Sequence, residues 1–137
     1  MKLFVDTWGW LAVVDRKETG HEAALEIFHQ ARRSGITITS NFVLDETFTH
    51  LFKRRPFEDA WKFTTSVVGS PFIDIQEVTE PRFKRTIELR KRFSDKLKIS
   101  FTDLSTMAIM VELGITDILT ADQHFTHVGL GFHTFPL

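Results

Sequence analysis

Four acidic side chains stand where a parallel α/β sheet would bring them together. Asp6 directly follows the first short apolar run, and Asp122 follows a later run that ends at Thr120. Glu46 lies in the early turns of the helix expected after the second strand, and Asp103 opens a helix that leads to a further strand. Functional residues in such sheets collect outside the carboxyl ends of the strands. We therefore expect the four carboxylates to share one edge of the sheet.

A cluster of this kind indicates metal-assisted chemistry, because converging carboxylates repel one another unless they are protonated or bridged by cations. Sets of oxygen ligands suit Mg²⁺ or Mn²⁺, which keep several waters and bind carboxylates together with substrate phosphates. The pattern therefore suggests phosphoryl chemistry. Glu46 lies about 200° around its helix from the apolar Leu44 and can point into a cleft, although helical phase alone leaves Asp45 as an alternative.

Each acid taken singly also has a purely structural interpretation. Asp6 and Asp122 are favoured residues for helix N-caps. Asp103 completes a capping-box pattern that begins at Ser100, and Glu46 fits a solvated helix position. The functional interpretation depends on the convergence of all four residues.

The elements that must position these acids follow from alternating short β-like runs and longer stretches of helical period. This pattern predicts a three-layer α/β/α fold around a central, mainly parallel sheet. The expected strands cover residues 3–5, 36–39, 72–78, 117–120 and 132–135. The expected helices cover residues 8–14, 21–34, a stretch capped by Ser40 or Asn41 that ends near Pro56, and residues 58–68, 81–97 and 100–113. In the helix over 81–97, the residues expected close to one face are Phe83, Ile87, Phe93 and Leu97.

Length and composition fit one globular domain over residues 1–137. The chain has 42% hydrophobic and 26% charged residues, and its formal net charge of −1 argues against binding of nucleic acid through bulk positive charge alone. The absence of cysteine excludes thiolate zinc sites, thiol nucleophiles and disulfides. Asp6 interrupts the opening apolar run, so we expect no signal peptide, no membrane span and a cytoplasmic location.

Three segments together resemble a known family. They cover residues 3–10 (LFVDTWGW), residues 41–48 (NFVLDETF), and residues 100–103 (SFTD) with residues 118–125 (ILTADQHF). In this order, and over nearly the whole chain, they resemble a PIN-domain ribonuclease of the VapC type, the toxin of a bacterial or archaeal toxin–antitoxin pair. One departure is Gln123, which stands where relatives often carry a basic residue.

The resemblance implies metal-dependent endonucleolytic cleavage of RNA, a cognate antitoxin protein and a homodimer. In that scheme one or two Mg²⁺ or Mn²⁺ ions lower the pKa of an attacking water and stabilise the charge that develops at phosphorus. The residues that would hold the ions are Asp6, Glu46, Asp103 and Asp122. Three threonines flank the acids and could orient carboxylates or waters, or could simply cap helices and end strands: Thr7, Thr102 and Thr120.

Basic and aromatic residues offer further contacts. Residues 82–98 hold eight basic side chains against two acidic ones, and with residues 53–55 they could track RNA phosphates, receive an acidic antitoxin segment or form a solvated face. Trp8 and Trp10 could stack on bases, although packing in the core is the simpler expectation. His124 and His127 lack a further convergent ligand for zinc, so we expect no catalytic role for them.

Other classes of protein fit less well. An aspartyl-phosphate enzyme of the haloacid dehalogenase type would need a second Asp two residues after Asp6, where Trp8 stands. A non-catalytic RNA- or protein-binding module would gain nothing from clustered negative charge. A DNA nuclease remains an alternative that cleavage assays on both nucleic acids would separate.

Overall fold

A wholly parallel five-stranded sheet forms the centre of the computed structural model, which describes residues 1–135. The strands lie in the order β3-β2-β1-β4-β5. The parallel pairing follows from the helical connections between successive strands. The strands are β1 (Lys2–Val5), β2 (Ile36–Ser40), β3 (Ile73–Gln76), β4 (Asp117–Leu119) and β5 (His133–Phe135).

Several helices begin where a side-chain oxygen accepts a backbone N–H three residues further on, as N-cap residues do. Asp6, Ser40, Thr79 and Ser100 make this bond. The helices of the described residues are α1 (Thr7–Val14), α2 (His21–Ser34), α3 (Asn41–Arg54), α4 (Phe57–Gly69), α5 (Glu80–Arg92), α6 (Phe101–Leu113) and the short α7 (His124–His127).

The order of the strands places a topological switch point between β1 and β4. The chain leaves β1 towards β2 and β3, and then crosses back to β4 on the other side of β1. Because parallel crossovers are right-handed, the helices before β3 and those after it cover opposite faces of the sheet. The expected three-layer α/β/α fold is confirmed, and its sheet is parallel throughout.

The core is centred on β1, β4 and α6. Leu3, Phe4 and Val5 have no exposed surface, as expected for a central parallel strand. Every residue of α6 from Leu104 to Met110 is buried, so this helix lies against neighbours on most of its circumference. No helix among residues 1–135 combines the length and apolar character needed to cross a bilayer.

The expected helix over residues 81–97 is wrong in its extent, and two of the four residues expected close to one of its faces, Phe93 and Leu97, lie beyond its end. Helix α5 ends at Arg92, and turns lead from there to Ser100. Phe93 is buried, but Phe83, Ile87 and Leu97 are 43%, 50% and 76% exposed. The spacing of apolar residues predicts a helix here because it does not show the hydrogen bonds from the Arg90 side chain that stabilise the turns.

Candidate active site

An acidic cavity of about 360 Å³ opens at the edge of the sheet where β1 and β4 end. Its wall includes Asp6, Glu46, Asp103 and Asp122, so the structure brings all four predicted acids together. This is the switch point of the sheet, where ligands of open α/β folds bind. We call this space the acidic cavity.

Asp6 is fixed from two sides at the end of β1. Its Oδ1 accepts a hydrogen bond of 2.8 Å from the backbone N–H of Gly9, and its Oδ2 accepts one from the Thr120 hydroxyl. The residue is only 3% exposed. Its carboxylate therefore serves as the N-cap of α1 and also faces the acidic cavity.

Gly9 lets α1 approach the neighbouring strand. A Cβ atom at this position would lie 2.3 Å from the Leu119 carbonyl oxygen and 2.9 Å from a methyl carbon of Val5. The first of these contacts is with backbone and cannot be relieved by rotating a side chain. Gly9 thus allows the end of β4 to pass close to the helix that Asp6 caps.

Asp122 lies in the loop after β4, where its position is set by local hydrogen bonds. Its backbone N–H donates to the Thr120 hydroxyl at 2.9 Å, and its Oδ1 accepts from the backbone N–H of His124 at 2.8 Å. One ligand atom each from Asp103, Asp122 and His124 lie within 4.8 Å of one another. These three groups are close enough to share one cation.

The electrostatics of the acidic cavity favour protonation of Asp6 and Asp103 when no cation is bound. Burial raises the pKa of Asp6 to about 7, although its hydrogen bonds from Thr120 and Gly9 favour the charged form. The pKa of Asp103 is also raised, first by burial and then by the hydrogen bond that it shares with the Asp122 carboxyl group. A divalent cation would offset both effects.

Helical phase left two candidates on α3, and the structure separates them. Glu46 lines the acidic cavity, whereas the exposed Asp45 is not part of its wall. Glu46 is itself solvent-exposed, so it approaches the cavity from the rim. This placement supports Glu46 as the acid of the second motif.

The three flanking threonines differ in their surroundings. Thr120 is buried and bonds Asp6. Thr7 lines the acidic cavity, and its buried hydroxyl has no hydrogen-bond partner among residues 1–135. Thr102 is partly buried and does not belong to the cavity wall. The geometry therefore favours Thr120 and Thr7 over Thr102 as orienting residues.

Three further residues of the cavity wall were not among the predicted metal ligands. His50 lies four positions after Glu46, which places both on one face of α3, and that spacing was a usable signal. Lys98 also lines the cavity, but it follows α5 in an irregular turn that no periodicity describes. Trp8 is 46% exposed at the same wall, whereas Trp10 is buried in the core.

Much of the basic stretch over residues 82–98 is engaged within the protein. Arg82 and Arg85 both bind the Glu112 carboxylate, which lowers the pKa of that group to about 2. Arg90 donates three hydrogen bonds to backbone carbonyls of the turns after α5. These three arginines are therefore structural, which leaves fewer cations of the stretch for RNA or antitoxin.

Comparisons with known proteins agree with this geometry. The sequence profile of the PIN domain matches residues 3–130. The chain is 29% identical over 127 residues to the 23S rRNA-specific endonuclease VapC20 of Mycobacterium tuberculosis, and the match covers 93% of this chain and 94% of that protein.

Solved structures show the same fold. The crystal structure of Mycobacterium tuberculosis VapC20, described as a sarcin–ricin loop cleaving toxin, matches with a TM-score of 0.81 and 27% identity, over 93% of this chain and 95% of that one. The structure of VapBC2 from Rickettsia felis bound to a promoter DNA fragment matches with a TM-score of 0.77 and 15% identity, over 98% of both chains.

Proposed function

The chain belongs to the PIN domain family, and we propose that it is a metal-dependent endoribonuclease that acts as the toxin of a toxin–antitoxin pair. The observation that carries the proposal is the placement of four carboxylates at the switch point of the sheet, in the wall of one cavity. We propose that residues 1–137 form one nuclease domain. The family match over residues 3–130, which is nearly the whole chain, supports this.

The side chains of the acidic cavity are suitable ligands for a divalent cation. Asp6, Asp103 and Asp122 supply oxygen ligands, and Glu46 reaches the same cavity from its rim. Within residues 1–135 no cationic side chain offsets the burial of Asp6. Mg²⁺ or Mn²⁺ is the natural occupant of such an oxygen set. When bound, the ion would lower the pKa of an attacking water and offset the negative charge that develops at phosphorus.

The protein's own groups would position the reaction. The N–H of Gly9 and the hydroxyl of Thr120 hold both oxygens of Asp6, so the carboxylate is oriented before any cation arrives. Asp122 is held through its backbone N–H and through its bond from His124. A preorganised ligand set of this kind avoids reorganisation when the substrate binds.

The relatives suggest the substrate and the partner. The Mycobacterium tuberculosis relative is named for 23S rRNA and for the sarcin–ricin loop, so we propose a structured ribosomal RNA loop as the first substrate to test. Several structural neighbours are complexes of toxin and antitoxin. We therefore propose a cognate antitoxin as the protein partner, together with a homodimer and a cytoplasmic location.

The test is cleavage of a sarcin–ricin loop RNA and of total ribosomal RNA, each with Mn²⁺ and with EDTA. We expect cleavage by the wild type only with the metal, and a loss of about 100-fold or more in Glu46→Gln, because a lost metal ligand removes charge stabilisation in the transition state. Asp45→Asn is the matched control, since its exposed carboxylate lies one residue away and outside the cavity.

Three results would contradict the proposal. Equal rates of RNA cleavage by Glu46→Gln and wild type would show that the acidic cavity takes no part in the reaction. Cleavage of DNA but not RNA of the same sequence would make the protein a DNA nuclease. Tight RNA binding without cleavage under any divalent cation would favour a non-catalytic binding module.

A further inference from the structure

We propose that a second cavity, next to the acidic cavity, binds the RNA backbone on one side of the scissile phosphate. This basic cavity has a volume of about 450 Å³, and its wall includes Lys96, Lys98, His124 and His127 against a single acidic residue, Asp95. The inference rests on the proposed nuclease function and specifies where the substrate strand runs.

Lys98 connects the two cavities. Of the residues that the structure describes, it is the one lysine or arginine in the wall of the acidic cavity, and it also lines the basic cavity. A strand that leaves the acidic cavity over Lys98 would therefore enter the basic cavity directly. His124 strengthens this connection, because its backbone N–H binds Asp122 of the acidic cavity while the residue lines the basic one.

The turn that carries Lys98 is held in place by Arg90. The Arg90 guanidinium donates to the carbonyl oxygens of Phe93, Lys96 and Ile99 at 2.8, 2.7 and 2.6 Å. Phe93 and Ile99, at the ends of this segment, are buried in the core. Since the backbone is fixed before ligand arrives, less conformational entropy is lost when a phosphate binds Lys98.

Charge and position together favour an RNA strand as the occupant. Lysine ammonium groups and the imidazole of His127 are suitable donors to phosphate oxygens. The Nδ1 atom of His124 instead lies 3.0 Å from Oδ1 of Asp122. One of the two lysines, Lys96, lies 3.3 Å from the Asp95 carboxylate, whereas Lys98 is exposed and available. An acidic peptide that followed the same path would meet the four carboxylates of the acidic cavity, whereas an RNA strand presents a phosphate there.

The test measures binding of a short fluorescent single-stranded RNA in EDTA, where a metal-dependent nuclease does not turn over, across a range of salt concentrations. We expect Lys98→Gln to weaken binding by about 3- to 10-fold at low salt and to reduce the slope of log K against log salt by about 0.7, the value for one phosphate contact on a single strand. Lys91→Gln is the matched control, because Lys91 is an exposed lysine of the same stretch outside both cavities.

Equal effects of Lys98→Gln and Lys91→Gln would overturn the proposal, as would a wild type that does not bind RNA at low salt. A fluorescent acidic peptide provides a second arm, and binding of this peptide that depends on Lys98 while RNA binding does not would assign the cavity to a protein partner instead. Mn²⁺ calorimetry on the same variants tests the metal site of the acidic cavity separately from RNA binding in the basic cavity. Lys98→Gln is expected to bind Mn²⁺ at least as tightly as the wild type, because the substitution removes a positive charge from the wall of the acidic cavity. Absence of Mn²⁺ binding in every variant would count against the metal site alone.

Discussion

The hydroxyl of Thr120 donates a hydrogen bond to Oδ2 of Asp6 and so ties the end of β4 to the end of β1, across 114 residues of sequence. The same hydroxyl accepts the backbone N–H of Asp122 at 2.9 Å. One side chain therefore orients the carboxylate of Asp6 and fixes the backbone of Asp122. The hydrogen bond to Asp6 also lowers the pKa of that carboxyl group, against the larger effect of burial.

Replacing Thr120 tests this positioning role. Thr120→Val keeps the shape of the side chain but removes both hydrogen bonds, so the pKa of Asp6 should rise further and the carboxylate should be less well oriented. We expect Mn²⁺ affinity, measured by calorimetry, to fall about 10-fold, the range seen when outer-shell partners of metal ligands are lost. Thr120→Ser should restore most of the affinity, and equal binding by the Val and Ser variants would contradict the role.

Asp6→Asn should stabilise the protein when no divalent cation is present. The pKa of Asp6 is about 7 in the folded state and 3.8 otherwise, so between these values the folded protein keeps a proton that the unfolded chain has released. Stability in EDTA therefore falls as the pH rises from about 4 to 7. At pH 8 the Asn variant should exceed the wild type by on the order of 2 kcal/mol in its free energy of unfolding.

The measurement is urea unfolding of wild type and Asp6→Asn in EDTA at several pH values. The difference between the two proteins should shrink as the pH falls from 7 towards 4, because the unfolded wild-type chain then gains less from releasing the Asp6 proton. Adding Mn²⁺ should stabilise the wild type and leave Asp6→Asn unchanged. A difference that stays constant from pH 4 to 8 would show that burial does not shift the pKa of Asp6.

The strand segments and the placement of the acids could be anticipated because both follow from local patterns. A continuously apolar run such as residues 3–5 indicates a strand buried on both faces, and an acid immediately after such a strand lies at its carboxyl end. Glu46 was harder to assign, since periodicity places it off the apolar stripe but does not exclude Asp45. Only the fold shows which of these neighbours faces the cavity.

Other features depend on tertiary contacts that no local pattern reports. Gly9 is needed because a carbonyl of β4 lies against it, and β4 is more than a hundred residues away in sequence. Arg90 stabilises the turns after Arg92 through three hydrogen bonds. The sequence shows only that its side chain is basic. The position of Lys98 in the walls of both cavities depends on those turns and therefore could not be predicted from the sequence.

Gly9→Ala should destabilise the protein by about 2 kcal/mol or more, because the new methyl group would overlap the Leu119 carbonyl oxygen and force α1 away from β4. Denaturant unfolding measures the loss. Gly69→Ala is the control, since Gly69 is also a helical glycine without a positive φ but has no atom within 4 Å of an added Cβ. If both variants unfold at the same denaturant concentration, the close contact at Gly9 does not affect the free energy of unfolding.

The contact between α5 and α6 offers a test that is independent of the acidic cavity. Glu112 on α6 accepts hydrogen bonds from Arg82 and Arg85 on α5, with 2.7 Å to the Arg82 Nη2 atom. These arginines lower the pKa of Glu112 from 4.5 to about 2. A lowered carboxyl pKa means that the stabilisation is complete above pH 4.5 and is lost as the pH falls towards 2.

Glu112→Gln should therefore lower the free energy of unfolding at pH 7 by about 1 kcal/mol, less than the pKa shift alone implies because the side chain is 32% exposed and screened by solvent. Urea unfolding at pH 7 and at pH 3 checks this, and the difference from wild type should narrow at the lower pH because Glu112 is then protonated in the unfolded chain. Glu80→Gln is the control, since its 3.2 Å pair with Lys84 is far more exposed and should contribute only a few tenths of a kcal/mol. Equal losses in the two variants would mean that the cluster of two arginines stabilises α5 and α6 no more than an ordinary surface pair does.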